Sequence, residues 1–239
     1  MPSNPPESQN PEKPLIHFHI VLIPIKNLLG HEQIVQSQVD WLKNNIKKLG
    51  YFFRPILVVK NHNVVLDGHH RVVALEQLGY QKVPCIEIEY LENKDITLGT
   101  WYPIYTEDRE INFPADLDKI GVKWEHLGEF TSGILDDPRY GFTLKTRHDQ
   151  FLLCETQKEI FSKFLKYFNS SFFDYVKTLK YALQSVEQGQ ASYALLRSTI
   201  TKEDVLETAK KKELYAPKTT RHILSFKYQD IKVPLEALE

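Results

Sequence analysis

The stretch Val64-Val-Leu-Asp-Gly-His-His-Arg-Val-Val-Ala-Leu-Glu-Gln-Leu-Gly79 changes its hydrophobic pattern in mid-run. Val64, Val65 and Leu66 form a short apolar run, whereas Val72, Ala74, Leu75 and Leu78 follow at helical spacing up to Gly79. A strand is therefore expected to pass straight into a helix at Asp67-Gly-His-His-Arg71, with Gly79 as its stop. Just upstream, Pro55-Ile-Leu-Val-Val-Lys60 and the turn Asn61-His-Asn63 complete a predicted hairpin, because two β-branched runs flank residues suited to a turn. Downstream, Val83–Tyr90 alternates, setting Ile86, Ile88 and Tyr90 against Glu87 and Glu89 as a strand does.

Working outward, residues 15–23 alternate so that Ile16, Phe18, Ile20 and Leu22 share a face, and Pro24 ends that predicted strand. A helix is expected from near Ser37, capped by its hydroxyl with Asp40 three residues on. Val39, Leu42, Ile46 and Leu49 give it an apolar stripe, and Gly50 terminates it. Residues 15–105 thus read as one compact α/β domain, and residues 106–239 as a C-terminal α+β domain. In the latter, Pro114, Gly121, Gly128, Gly133, Pro138 and Gly141 punctuate loops and short strands. Two helices are then expected, one on Ile160, Phe161, Phe164, Leu165 and Phe168 and one on Phe172, Val176, Leu179, Leu183 and Val186, with Asn169-Ser-Ser171 between them. A strand at 192–199, a helix capped by Thr201 with Asp204, and a last strand from Ile223 to Tyr228 follow.

The 239 residues carry 30 Lys and Arg against 31 Asp and Glu, a formal charge of −1. That balance argues against a surface built to neutralise many nucleic-acid phosphates, and the tight basic run Lys210–Lys212 reads as a solvated helix face. Cys85 and Cys154 lie far apart and make no metal-ligand spacing, which fits a reducing, cytoplasmic setting. Residues 1–14, rich in Pro, Ser, Asn and Glu, read as a flexible tail without the apolar segment of a signal peptide. No stretch reaches the roughly 20 apolar residues of a membrane span.

The chemistry concentrates at residues 67–71. A helix N-terminus exposes N–H groups and partial positive charge, so a glycine followed by two imidazoles and a guanidinium makes a concentrated phosphate receptor. In that reading Gly68 admits a close backbone approach, His69 and His70 add contacts, Arg71 grips two oxygens, and Asp67 holds Mg²⁺ on the phosphates. The structural alternative is that Asp67 only caps the helix and the histidines are surface residues. His17 and His19 share one side of a strand without a third ligand and read as structural. Lys145-Thr-Arg-His148 reads as a surface turn. No phosphate-loop or protein-kinase motif occurs in the sequence.

The stretch 64–79, with Pro55-Ile-Leu-Val58 before it and Lys82-Val-Pro84 after it, closely resembles the nucleotide-binding core of the free serine kinases, which have a ParB/sulfiredoxin-like fold. The resemblance extends to Leu22-Ile-Pro-Ile25, His31-Glu32, Trp101 and Pro217-Lys-Thr-Thr-Arg-His222, while residues 106–190 add little. It implies a kinase that moves a phosphoryl group from ADP or ATP to the hydroxyl of free L-serine, with the substrate between the two domains. Glu32 is implied as general base; Trp101, Lys218, Thr219, Thr220, Arg221 and His222 are implied to hold serine. The product, O-phospho-L-serine, would feed cysteine or siderophore-precursor synthesis. Sulfiredoxins place a reactive cysteine where this chain has His69, and ParB proteins add a helix-turn-helix segment that is not evident here. Two alternatives stand beside this reading: a non-catalytic ParB-like nucleotide-binding regulator, and a kinase acting on a different small hydroxyl compound.

Overall fold

A computed structural model describes residues 13–107, 111–137 and 139–239. The expected tail falls, up to residue 12, outside the described residues, as does Pro138.

The first part of the chain runs β1 (Val21–Pro24), α1 (Gln36–Leu49), β2 (Ile56–Val59), β3 (Val65–Asp67), α2 (His69–Gln77) and β4 (Lys82–Ile88). The four strands form a mixed sheet in the order β1-β4-β2-β3, antiparallel except for the parallel pair β2 and β4. All four residues of β2 are buried, and they alternate between two cores as the pleat requires. Ile56 and Val58 pack with Val39 and Ile46 of α1 and Val72 and Leu75 of α2. Leu57 and Val59 pack on the other face with Val205, Leu206 and Ala209. The β2–β3 hairpin turns where expected, through Asn61 and Asn63 at φ 62° and 54°, a region that asparagine tolerates better than most residues.

The chain continues through β5 (Tyr102–Tyr105), α3 (Ala115–Ile120), β6 (Trp124–His126), β7 (Phe142–Thr146), β8 (Gln150–Leu153), α4 (Gln157–Tyr167), β9 (Phe173–Val176), α5 (Leu179–Glu187) and β10 (Tyr193–Leu196). These strands make a second sheet, ordered β9-β5-β10-β7-β8-β6 and antiparallel throughout. Tyr102, Ile104, Ala194 and Leu196 pack with Ala182 and Val186 of α5. Tyr105 and Tyr193, alternating to the opposite face, stack at 5.0 Å, and Phe164 of α4 and Phe168 lie against Tyr193. The last helix, α6 (Lys202–Lys210), carries the capping box expected of Thr201 and Asp204.

The α/β class is as expected, but the domains are not consecutive. Of the described residues, one compact unit comprises 99–199 and 218–221; the other comprises 13–98, 200–217 and 222–239. The expected boundary at 105/106 therefore gives way to one near 98, and the chain returns to the first sheet. The reason is burial: one face of that sheet is covered by α6 and Phe226, and Leu238 enters the core on the other face.

Three local expectations are corrected. No side chain caps α1, whose N-cap is Val35, so Ser37 lies inside the first turn. The strand expected over 15–23 is broken into Leu15–Ile16 and β1, and Leu22 is 45% exposed while Ile23 is buried. On this edge strand the buried face is the one opposite to that read from alternation. Finally, Phe173 to Val176 is not helical: β9 pairs with β5, and α5 starts only after Thr178 caps it. Phe172, Val176 and Leu179 match helical spacing by coincidence, and sheet pairing decided the conformation.

Candidate active site

β3 delivers Asp67 to the junction, and Gly68 turns the chain at φ 110° into α2. A side chain there would be strained, and a Cβ would stand 2.6 Å from Ile56 Cδ1. Gly68 is thus required by its own fold, where the sequence suggested approach to a ligand. The first-turn N–H groups of α2 have no carbonyl partners within the helix and carry its positive end.

The Arg71 guanidinium is 9% exposed and already engaged. Nη1 donates to the carbonyls of Arg54 and Pro55, both at 2.8 Å, and Nη2 donates to Asp67 Oδ2 at 2.9 Å. Arg71 therefore straps the junction to the strand before it, and the two-oxygen phosphate grip expected of it is corrected. Tyr228 donates to the same Asp67 oxygen at 2.9 Å, and Arg54 lies 3.9 Å away. Burial works to raise the Asp67 carboxyl, but Arg71, Tyr228 and Arg54 outweigh it and hold the group below the usual carboxylate range.

The two histidines are acceptors. His69 Nε2 accepts from the His31 N–H at 3.3 Å, and His70 Nε2 accepts from the Val35 N–H at 3.0 Å. His31 stands edge-on to His69 at 4.6 Å and to His222 at 5.9 Å, and His222 Nε2 meets the Tyr90 hydroxyl at 2.8 Å. Burial lowers all three: His31 to about 4, His222 to about 3, and His69 well below 6.5. These imidazoles are neutral at pH 7.

Glu32 sits in the 31–35 segment that these histidines hold. It pairs as an isolated bridge with Tyr215, flanked by hydrogen bonds from Tyr215 N–H to the His31 carbonyl (2.8 Å) and from Gln33 N–H to the Tyr215 carbonyl (3.0 Å). Glu32, Gly30 and His69 line one cavity of about 350 Å³ whose other walls include Leu28, Ile34, Val65, Val72 and Leu214. The carboxylate expected to act as base and the first residue of α2 thus share one space, which makes a nucleophile-activating group beside a phosphate-binding helix end geometrically feasible.

The run 218–222 is divided. His222 belongs with the histidine cluster, while 218–221 belongs to the unit that carries Trp101. There Lys218 Nζ and the Arg221 guanidinium each lie 5.6 Å from the Trp101 ring. Two cations around one indole suit a small anionic group such as a carboxylate. Thr219 and Thr220 are buried, and the Thr219 hydroxyl accepts from Arg197 at 3.1 Å, so Thr219 forms the wall behind the loop. Sequence reading missed Arg197 and Tyr215. Arg197 had a signal, a lone charge closing the apolar run Tyr193–Leu196; the role of Tyr215 rests on backbone pairing and had none. Among the described residues no group of three or more His, Cys, Asp or Glu could hold a metal ion.

The similarity to known proteins is strong. The chain is 33% identical over 242 residues to an ATP-dependent L-serine kinase of Staphylothermus marinus, covering 95% of this chain and 94% of the relative. It belongs to the L-serine kinase family. An ADP-dependent L-serine kinase of Thermococcus kodakarensis is 29% identical over 91% of this chain and 92% of its own length. A solved structure of a free serine kinase in complex with AMP superposes with a TM-score of 0.86 at 28% identity, covering 98% of both chains. No protein-family model matches the chain. In this L-serine kinase relative no helix of the described residues is long and apolar enough to cross a membrane.

Proposed function

We propose that this chain transfers the terminal phosphoryl group of ATP or ADP to the hydroxyl of free L-serine, giving O-phospho-L-serine and the nucleotide shortened by one phosphate. The serine Oγ attacks the terminal phosphorus, the bond from phosphorus to the donor's bridging oxygen breaks, and the Oγ proton passes to Glu32. Phosphoryl transfer asks the protein mainly for alignment and charge neutralisation, with a carboxylate to orient the attacking hydroxyl. The observation that carries the reading is the cavity shared by Glu32 and His69 at the N-terminus of α2, in a chain of this family.

The nucleotide phosphates are assigned to the backbone of residues 68–71, with His69 and His70 holding the base-bearing segment against them. The Lys218 and Arg221 cations and the Trp101 ring are assigned to serine, with Thr219 and Thr220 behind them and His222 closing the histidine cluster. Magnesium bound on the phosphates would supply charge neutralisation at the transferred group. Asp67 fits as a single protein ligand to it: the carboxylate is held ionised, and its two hydrogen-bond donors and the Arg54 charge converge on Oδ2, leaving Oδ1 for a cation.

The deciding experiment is incubation with Mg²⁺, L-serine and either ATP or ADP, followed by phosphorus NMR. Appearance of O-phospho-L-serine with one donor is expected. Its absence with both donors, while other small alcohols are phosphorylated, would replace serine by another acceptor.

A further inference from the structure

Arg197 is 2% exposed, among the most deeply buried large side chains of the described residues. Most of its hydrogen bonds converge on two segments, beside a longer one from Nη1 to Gln157 Oε1 at 3.4 Å. Nη2 donates to the Trp101 carbonyl at 2.8 Å and to the Lys218 carbonyl; Nη1 donates to the Thr219 hydroxyl at 3.1 Å; Nε donates to the Thr100 hydroxyl at 3.0 Å. Thr100, itself 2% exposed, donates onward to the Thr219 carbonyl at 2.8 Å. One guanidinium therefore joins the residue before Trp101, the carbonyl of Trp101, and the first two residues of the 218–221 loop.

The loop needs such an anchor. Lys218 has φ 61°, a left-handed conformation that costs a residue with a side chain about 1 kcal/mol or more and persists only where its surroundings enforce it. Arg197 accounts for that enforcement, since the Lys218 carbonyl is turned onto Nη2. A buried arginine whose fork is filled by carbonyls and hydroxyls fixes geometry better than lysine could, because its donors are planar and rigid. The charge is costly to bury unless those acceptors are all present.

We infer that Arg197 is a positioning residue for serine recognition: with Thr100 as its relay, it sets the spacing between Trp101 and the Lys218–Arg221 cations. The inference rests on the assignment of Trp101 and residues 218–221 to serine. It does not concern the nucleotide.

Thr100→Val removes the relay hydroxyl at nearly constant shape, and Thr100→Ser keeps the hydroxyl. Steady-state kinetics on both, on Arg197→Lys and on Trp101→Ala, with thermal melts to confirm folding, separate the possibilities. In folded Thr100→Val and Arg197→Lys the KM for serine should rise about tenfold, while the KM for nucleotide stays within about twofold and Thr100→Ser behaves like the unmodified protein. A serine KM unchanged in Thr100→Val but raised in Trp101→Ala would overturn the role of Arg197 alone. An unchanged serine KM in Trp101→Ala as well would overturn the pocket assignment and this inference with it. Equal losses for serine and nucleotide would mark Arg197 as a general structural residue and refute the positioning role.

Discussion

The Val35 N–H donates to Nε2 of His70 across 3.0 Å, so the second histidine of the 67–71 junction clips one end of the segment that carries Glu32. His69 clips the other end through the His31 N–H. Consecutive histidines on the first turn of α2 thus fix the candidate base relative to the helix end, the kind of alignment on which phosphoryl transfer depends.

Removing that clip should slow transfer more than it weakens nucleotide binding. His70→Ala is expected to cost about 1 kcal/mol of stability, the usual value of one hydrogen bond, and to lower kcat. His70→Gln, whose side-chain oxygen can accept the same N–H, should recover most of both. Denaturant melts and initial rates on the pair check this; an alanine variant with unchanged kcat would contradict the clip.

Glu32→Gln keeps the shape of the side chain and removes its basicity. Turnover should fall by about 10²–10⁴-fold, the usual worth of a general base, while calorimetry shows nucleotide binding retained. Full turnover in the variant would end the role assigned to Glu32.

Gly68→Ala should destabilise the protein by about 1–3 kcal/mol through the φ of 110° and the approach to Ile56. Adding Ile56→Val relieves the contact but not the dihedral, so the double variant should recover only part of the loss. A melting temperature unaffected by Gly68→Ala would mean that the junction relaxes in a way the geometry does not suggest.

Acid should destabilise the fold in a defined window. His31 has a folded pKa of about 4 against an ordinary 6.5, so below 6.5 the unfolded chain binds a proton that the folded one does not. Stability is therefore full above pH 6.5 and falls progressively down to about pH 4, and His222 extends the window to about pH 3. At pH 5 the loss should be about 2 kcal/mol for fully buried His31. Melts from pH 8 to 4 test the slope, and His31→Asn should flatten it; an unmodified protein equally stable at pH 8 and 5 would show that the cluster is not neutral.

If Asp67 holds magnesium, Asp67→Asn should raise the Mg²⁺ concentration needed for half-maximal rate and also lower the melting temperature, because Arg71 would lose its carboxylate partner. A lower melting temperature with an unchanged Mg²⁺ requirement would leave Asp67 with the strap alone.

Much of this was legible in the sequence. The change of period at Asp67, the asparagine turn and the capping box at Thr201 are local signals, and the structure carries each one. Long-range consequences were not legible. Nothing near Arg71 announces that the Arg54 and Pro55 carbonyls would consume its donors, and nothing near Glu32 points to Tyr215. The helical reading of Phe173–Val176 failed for the same reason: the partner strand that made it β9 lies about 70 residues earlier, at Tyr102–Tyr105. Burial is likewise invisible in the sequence, and it keeps the imidazoles of His31, His69 and His222 neutral.

Leu238 is fully buried among Ile46, Val83 and Cys85, and Phe226 packs with Leu57 and Ile86. As the chain leaves the ribosome, the sheet bearing Asp67 is made early yet keeps both faces incompletely covered until residues 200–238 have emerged. The compact unit of residues 99–199 takes in only residues 218–221 from later in the chain. The order of synthesis and the order of completion of the first sheet's two cores are thus reversed.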